Sequence, residues 1–232
     1  MLDKDNRIVP SAPFKGYQEI ESLARKSVGK VSRIQIDMCD GHYVNSLSWP
    51  FTEYGKNFKT VQGDVYLPNW EDLEYTADLM VERPEQYIES CVEWGFDEII
   101  IHFRSLNPEN FLDISQKCQK YEMRLYLAID KKTDFEQFLQ FAKINRKQLT
   151  GFQVMGIENI GHQGQEFWEG SLSLVKSLKE CFPEKTIMFD GGINEETFIE
   201  VAKAGVDIFC VGSYLTHSDY FADDLKFLQE QL

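Results

Sequence analysis

The 232-residue sequence has few cysteines and no spacing that would pair them. There are five, an odd number, and no two stand in a C-x-x-C arrangement: Cys39, Cys91, Cys118, Cys181 and Cys210. This pattern argues against a disulfide framework and against a zinc knuckle, and it favours a reducing compartment. The N-terminal stretch MLDKDNR is charged from its third residue and has no signal-peptide pattern. We therefore expect a cytoplasmic protein.

Basic residues are also scarce. Lysine and arginine number 24 against 38 aspartates and glutamates, which gives a net charge of −14. A surface this acidic repels nucleic acid and anionic lipid, although backbone N–H groups could still hold a small anion locally. No apolar run approaches the roughly 20 residues that cross a bilayer. We expect neither nucleic acid nor a membrane as a partner.

Three common catalytic motifs are missing. The sequence has no G-x-S-x-G, no Walker motif, and no G-x-G-x-x-G after the first apolar run. Serine hydrolase, nucleotide triphosphatase and dinucleotide-dependent activities therefore lack support.

What the sequence does have is a regular alternation of short apolar runs and amphipathic segments. Near-continuous apolar runs of this length are typical of strands buried on both faces of a parallel sheet. Eight such runs with helices between them predict a single-domain (β/α)8 TIM barrel over residues 1–232, with a doubly wound open sheet as the alternative. The predicted strands are RIVPSAP, SRIQIDM, TADLMV, EIIIHF, RLYLAI, GFQVMGI, TIMFDGGI and DIFCVGSYL.

Capping residues indicate where some helices begin and end. PEQYIESCVEWG and NEETFIEVAKAG end at Gly95 and Gly205, and Asn194 is the expected N-cap of the second. Residues 45–76 interrupt the rhythm with aromatic and polar residues. We expect them to form a long β2–α2 loop with a short helix over the strand ends.

Carboxylates stand at the ends of three predicted strands. Asp37, Asp78 and Asp190 each fall within or after an apolar run, and the carboxyl ends of barrel strands meet at the active-site face. A single aspartate there could cap a turn or form an ion pair. Three converging carboxylates must share protons or bind a cation, so a metal site or an acid–base pair is the better hypothesis.

Glycine-bearing loops follow the last three strands. DGGIN and GSYLTHS follow strands seven and eight, where barrels often bind phosphate, and GHQGQEF follows strand six. For other residues, structural interpretations are stronger. His42 could bond a turn, His102 could be a core histidine, Met80 and Met155 could pack, and Cys39 and Cys210 could be small buried hydrophobic residues.

These motifs together resemble the ribulose-phosphate 3-epimerase family, from Ile8 to about Ser213. IVPSAPF is similar to the family's opening strand, IDMCDGHYV to its DVMDGHFV motif, and ADLMVERPEQYI to its HLMV segment. IIIHF, GHQGQEF, FDGGIN and AGVDIFCVGSYL are similar to its later strands and loops.

The resemblance implies an enzyme that inverts C3 of D-ribulose 5-phosphate through an enediolate, giving D-xylulose 5-phosphate. The matching positions make Asp37 and Asp190 the catalytic acid and base. They place a divalent metal on Gln35, Asp37, Asp78 and Asp190. They place substrate contacts at Ser11, His42, Met80 and Met155, and phosphate contacts at Gly164, Gly191, Gly192, Gly212 and Ser213.

The sequence departs from the family at two metal ligands. Gln35 and Asp78 stand where the family has histidines, so the remaining donors are oxygens apart from the amide nitrogen. Such a set favours Mg²⁺ or Mn²⁺ over Zn²⁺. The resemblance leaves open whether the chain is a monomer or a homo-oligomer.

Two other functions remain open. One is a different isomerase or lyase, such as an aldolase or decarboxylase, acting on another ketose phosphate. The other is a binder of sugar phosphates without catalysis. Related decarboxylases and synthases carry a D-x-K-x-x-D motif, and no lysine stands at that spacing near Asp37 or Asp40.

Overall fold

Eight parallel strands close into a barrel. The computed structural model describes residues 7–55 and 66–232. Each strand pairs with the next along the chain, and β8 pairs with β1. The predicted (β/α)8 TIM barrel is confirmed, and the open sheet is excluded. The strands are β1 (Ile8–Ala12), β2 (Arg33–Cys39), β3 (Glu74–Met80), β4 (Glu98–His102), β5 (Arg124–Ile129), β6 (Gly151–Met155), β7 (Thr186–Asp190) and β8 (Ile208–Val211).

Helices follow the strands and cover the outside of the barrel. In the described residues none is long and apolar enough to cross a membrane. The α-helices are α1 (Tyr17–Ser27), α2 (Phe51–Tyr54), α3 (Ile88–Trp94), α4 (Phe111–Lys120), α5 (Phe135–Ile144), α6 (Gly170–Cys181), α7 (Phe198–Lys203), α8 (Ser213–Thr216) and α9 (Phe221–Glu230).

Strand β2 shows how the sequence supplies both sides of the barrel wall. Ile34, Ile36 and Met38 are fully buried in the core between sheet and helices. Gln35 and Asp37 alternate with them, and Gln35 bonds Asp37 and groups from strands β7 and β8. Burying one large aliphatic side chain contributes about 1.5–3 kcal/mol to stability, so the residues that face the helices stabilise the strand. The residues that face the barrel interior are then available for other roles.

The ends of two helices test the predicted caps. Gly95 directly follows α3 and has a left-handed φ angle of 87°, as expected for a glycine C-cap. Gly205 also has a positive φ angle, 102°, but it follows the C-cap of α7, which is Ala204. Asn194 is not the N-cap of α7, which begins only at Phe198. Its Oδ1 instead accepts the N–H groups of Glu196 and Thr197, closing a turn before the helix.

Two other segments differ from the expected boundaries. The last predicted strand is shorter, because the N–H of Thr216 bonds the carbonyl of Gly212 and turns Ser213–Thr216 into α8. The long loop predicted over residues 45–76, between β2 and β3, contains the short helix α2. Strand β3 begins at Glu74, two residues before the predicted end of that loop. Residues 56–65 of that loop lie outside the described residues.

Candidate active site

Three aspartates meet at the carboxyl ends of β2, β3 and β7. Asp37 lies opposite Asp78 in the ladder between neighbouring strands, and Asp190 reaches them from the other side of the barrel. All three are buried, and one carboxylate oxygen from each lies within 4.8 Å of the others. The convergence expected from their positions at strand ends is confirmed.

One glutamine amide connects two of these carboxylates. Gln35 Nε2 donates to Asp37 Oδ1 at 3.0 Å and to Asp190 Oδ2 at 2.8 Å. Its Oε1 accepts from the Cys210 thiol, with Sγ at 3.1 Å. The nitrogen, a poor metal ligand, therefore faces the carboxylates. In this geometry Gln35 is a hydrogen-bond donor to both aspartates, and its ligation of a cation stays a prediction.

The third carboxylate is held on both oxygens. His102 Nε2 lies 2.9 Å from Asp78 Oδ1, and Gln153 Nε2 donates to Asp78 Oδ2 at 2.8 Å. The sequence placed His102 at the carboxyl end of the fourth strand, facing the active site, with a core role as the alternative, and Gln153 was not selected. The sequence signal that could have identified Gln153 is a polar residue in the middle of the buried strand β6, two positions before Met155.

The cluster carries more negative charge than its surroundings readily accommodate. Burial, together with the charges of Asp190 and Asp78, raises the pKa of Asp37 well above its usual range, although the bond from Gln35 opposes the shift. Burial and the charge of Asp78 raise the pKa of Asp190 to about 7. Carboxylates this close retain a proton or bind a cation.

The donor set fits a divalent cation. Asp37, Asp78 and Asp190 supply carboxylate oxygens from three strands, the ligand type that hard divalent ions prefer. Among the described side chains that hydrogen-bond these carboxylates, only His102 can carry positive charge. These three aspartates could therefore hold a metal ion.

A cavity of about 360 Å³ opens above the aspartates. It is lined by Asp37 and Asp190 and by most of the residues expected to contact substrate, namely Ser11, Met80, Met155, Gly164, Gly191, Gly192, Gly212 and Ser213. His42 is not among the lining residues. Its side chain is exposed and its N–H donates to Asp40 Oδ1, so the cavity gives no support to a substrate contact there.

The glycines after β7 are required by the backbone they form. Gly191 and Gly192 have φ angles of 104° and 72°, which side chains other than glycine rarely adopt. A Cβ added at Gly191 would come within 2.9 Å of the Ile157 side chain. The loop therefore passes close to the β6 loop and leaves its backbone groups facing the cavity.

One further residue completes the cavity wall. Gln163, in the loop after β6, donates from Nε2 to the carbonyl oxygen of Ser11 at 3.3 Å and to Thr216 Oγ1 at 3.2 Å. These bonds tie the loop to β1 and α8 across the mouth of the barrel. The sequence marked this segment only by its glycines.

Comparisons with known proteins agree with this geometry. The sequence profile described as "Ribulose-phosphate 3 epimerase family" matches residues 8–216. A ribulose-phosphate 3-epimerase from Eremothecium gossypii is 25% identical over 228 residues, 97% of this chain and 92% of that protein. One from Aquifex aeolicus is 26% identical over 203 residues, 84% of this chain and 81% of that protein.

Solved structures share the fold at lower identity. The 3-hexulose-6-phosphate synthase from Salmonella typhimurium superposes with a TM-score of 0.70 at 14% identity, covering 97% of this chain and 98% of that chain. Orotidine 5'-phosphate decarboxylase from Pyrococcus horikoshii OT3 gives 0.64 at 15% identity, with the same two coverages. The structures support the barrel, and the match of the family profile over most of the sequence shows that this chain belongs to the ribulose-phosphate 3-epimerase family.

Proposed function

We propose that the protein is a sugar-phosphate epimerase that interconverts D-ribulose 5-phosphate and D-xylulose 5-phosphate, or a closely related pair of ketose phosphates. The observation that carries this proposal is the pairing of Asp37 and Asp190. They come from different sides of the barrel, receive hydrogen bonds from the same amide nitrogen of Gln35, and both line the cavity. Family membership and the names of the relatives support the choice of reaction.

Two carboxyl groups with raised pKa values suit a transfer between opposite faces of one carbon. One aspartate enters the reaction as the carboxylate and removes the C3 proton, leaving the electron pair of that bond in an enediolate. The other enters as the acid and donates its proton to the opposite face of C3. The two groups finish with their protonation states exchanged, and reverse turnover or solvent exchange restores them. Burial raises both pKa values, and repulsion within the aspartate cluster adds to it, from Asp190 and Asp78 on Asp37 and from Asp78 on Asp190. These shifts support such a singly protonated pair.

The carboxylate cluster is the proposed site for a divalent cation, Mg²⁺ or Mn²⁺ rather than Zn²⁺. Asp37, Asp78 and Asp190 would hold it, since they offer oxygen ligands only. When bound, the cation supplies positive charge that stabilises the enediolate as it forms. His102 and Gln153 keep Asp78 oriented by occupying one lone pair on each of its oxygens.

The glycine loops are the proposed phosphate site. Backbone N–H groups beside the two aspartates could donate to phosphate oxygens there, from the cavity-lining residues Gly164, Gly191, Gly192, Gly212 and Ser213. A protein with a net charge of −14 needs such a local group of donors to bind an anion. Ser11, Met80 and Met155 complete the proposed substrate pocket.

Proton NMR in D₂O tests this function. D-Ribulose 5-phosphate is incubated with chelated protein, to which Mg²⁺, Mn²⁺ or Zn²⁺ is then added. We expect loss of the C3 proton signal and growth of xylulose 5-phosphate signals, fastest with Mg²⁺ or Mn²⁺. Zn²⁺ as the best metal would contradict the argument from the oxygen donor set.

The same experiment separates the remaining functions. Absence of C3 exchange with every metal would contradict the epimerase proposal. Turnover of a different ketose phosphate would then identify another isomerase or lyase. Thermal stabilisation by ketose phosphates without any exchange would identify a binder.

A further inference from the structure

We propose that Cys210 is a positioning residue that orients the amides of Gln35 and Gln153, and through them fixes the three carboxylates of the active site. This inference rests on the proposed function for its consequence in catalysis. Its structural part concerns only the buried contacts beneath the aspartates.

The Cys210 thiol lies between two glutamine carbonyl groups. Its Sγ is 3.1 Å from Gln35 Oε1 and 3.9 Å from Gln153 Oε1, so the single S–H proton is donated mainly to Gln35. All three side chains are fully buried. Each glutamine turns its NH₂ group upward, Gln35 to Asp37 and Asp190, and Gln153 to Asp78.

A buried amide needs partners on both of its ends to keep one orientation. Carboxylates only accept hydrogen bonds, so they must face the NH₂ group, and the carbonyl oxygen then requires a donor elsewhere. The other residues packed around Cys210 inside the barrel include Val9, Ile100, Ala128 and Met188, whose side chains donate no hydrogen bond. Tyr126 belongs to the same cluster and can donate, but its hydroxyl donates to Glu98 Oε1, at 3.4 Å. The thiol is therefore the group that satisfies Gln35 Oε1 and holds the amide with its nitrogen toward the aspartates.

The hydrogen bonds of the two glutamines connect carboxylates that lie on three different strands. Gln35 spans Asp37 on β2 and Asp190 on β7, while Gln153 extends from β6 to Asp78 on β3. Cys210 on β8 is the contact common to both glutamines. One residue thus influences the spacing of all three acidic groups, although it touches none of the reacting atoms.

The decisive variant is Cys210→Val, which keeps the approximate size of the side chain and removes the donor. Cys210→Ser restores a donor, and Cys91→Val makes the same change at a fully buried cysteine of α3, remote from the barrel interior. Mn²⁺ affinity is measured by calorimetry on chelated protein. Hydrogen exchange of the Gln35 and Gln153 side-chain amides is followed by NMR with ¹⁵N-glutamine, and kcat and KM are measured with D-ribulose 5-phosphate.

We expect Cys210→Val to weaken Mn²⁺ binding by about 10- to 100-fold, the range seen when groups that orient metal ligands are removed. The Gln35 amide protons should exchange faster, and kcat should fall while KM changes little. Cys210→Ser and Cys91→Val should remain close to wild type in all three measurements.

Unchanged Mn²⁺ affinity and amide protection in Cys210→Val would overturn the proposal, as would failure of Cys210→Ser to restore them. If Cys210→Val does not fold, Cys210→Ala replaces it. That variant also removes the donor, so it should weaken Mn²⁺ binding and speed exchange of the Gln35 amide, and wild-type values in both measurements would again overturn the proposal. Should wild type fail to exchange the C3 proton while Cys210→Val still loses Mn²⁺ affinity and amide protection, the epimerase function would be wrong and the positioning role would stand.

Discussion

The barrel contains buried carboxylates at both of its ends, and Glu98 at one end has surroundings opposite to those of the aspartate cluster at the other. At the N-terminal end, Glu98 is fully buried between two arginines. Arg124 Nε lies 2.5 Å from Glu98 Oε1, and Arg33 Nη1 lies 3.1 Å from Glu98 Oε2 as an ion pair without hydrogen-bond alignment. Glu74 accepts from both arginines, at 2.8 Å and 2.7 Å. Two acids and two guanidinium groups balance each other there.

At the C-terminal end the cluster of three aspartates has no such balance among the described residues, although Asp130 nearby is paired with Arg104. Asp37, Asp78 and Asp190 are bonded by two neutral amides, the Ser11 hydroxyl and one histidine. The two ends are separated by apolar side chains such as Ile100, which stands between Glu98 and His102 along β4.

The pKa values express the same difference. Burial acts to raise the pKa of Glu74, but its hydrogen bonds and ion pairs with Arg33 and Arg124 outweigh burial and lower it. Burial raises the pKa of both Asp37 and Asp190, and the charge of Asp78 adds to both shifts. A buried acid that is matched by arginines serves stability, whereas buried acids left with neutral donors retain affinity for protons and cations. The chain thus separates structural and chemical carboxylates by what it packs beside them.

The largest effect should come from removing one acid at the C-terminal end. Asp37→Asn or Asp190→Asn should lower epimerase turnover by about 10²–10⁴-fold, because an amide can neither accept nor return the C3 proton. The loss of the C3 proton signal in D₂O measures this directly. Glu74→Gln is the matched control at the other end and should retain turnover. Equal losses in Glu74→Gln and Asp190→Asn would contradict the division between the two ends.

The second effect should appear in stability and not in turnover. Glu98→Gln leaves Arg33 and Arg124 without their buried partner, and breaking a buried ion pair costs about 3–5 kcal/mol. Arg124 is partly exposed, so we expect the lower part of that range. Urea unfolding of the chelated protein measures the change, and kcat should stay at the wild-type value. A variant as stable as wild type would show that the ion pairs at this end contribute nothing net.

Much of the fold was predictable from the sequence because its signals are local. Short apolar runs such as RLYLAI mark strands wherever the chain is buried on both faces, and Gly95 and Gly205 end helices by their own φ angles. The convergence of Asp37, Asp78 and Asp190 followed from one general property of barrels, that carboxyl strand ends share a face. Asn194 shows the limit of local reasoning, since a turn and a helix cap use the same side-chain bond.

The residues beneath the aspartates were not predictable in the same way. Gln153 meets Asp78 across the barrel, and Cys210 meets Gln35, through the stagger of strands far apart in sequence. That stagger is set by how the whole sheet closes, and no short pattern encodes it. In addition, a single glutamine or cysteine in an apolar run does not indicate a function by itself, because the sequence does not show which residue it contacts.

The smallest effect should be a change in the pH dependence of stability, measured as the thermal midpoint of chelated protein between pH 4 and pH 8. The pKa of Asp190 rises from 3.8 to about 7 on folding, so the folded state binds more protons than the unfolded state within that interval. Stability should therefore fall as pH increases from about 4 to about 7, and this loss should level off above the folded pKa.

Asp190→Asn removes the carboxylate whose ionisation is opposed by burial and by the charge of Asp78, so its thermal midpoint should depend less on pH. At pH 8 the variant should melt about 2–4 °C above wild type for each ~1 kcal/mol gained. Removing the acid would then stabilise the protein while lowering turnover, the reverse of what Glu98→Gln does at the other end. Parallel pH profiles for wild type and Asp190→Asn would instead mean that Asp190 is no harder to ionise in the folded barrel than in the unfolded chain.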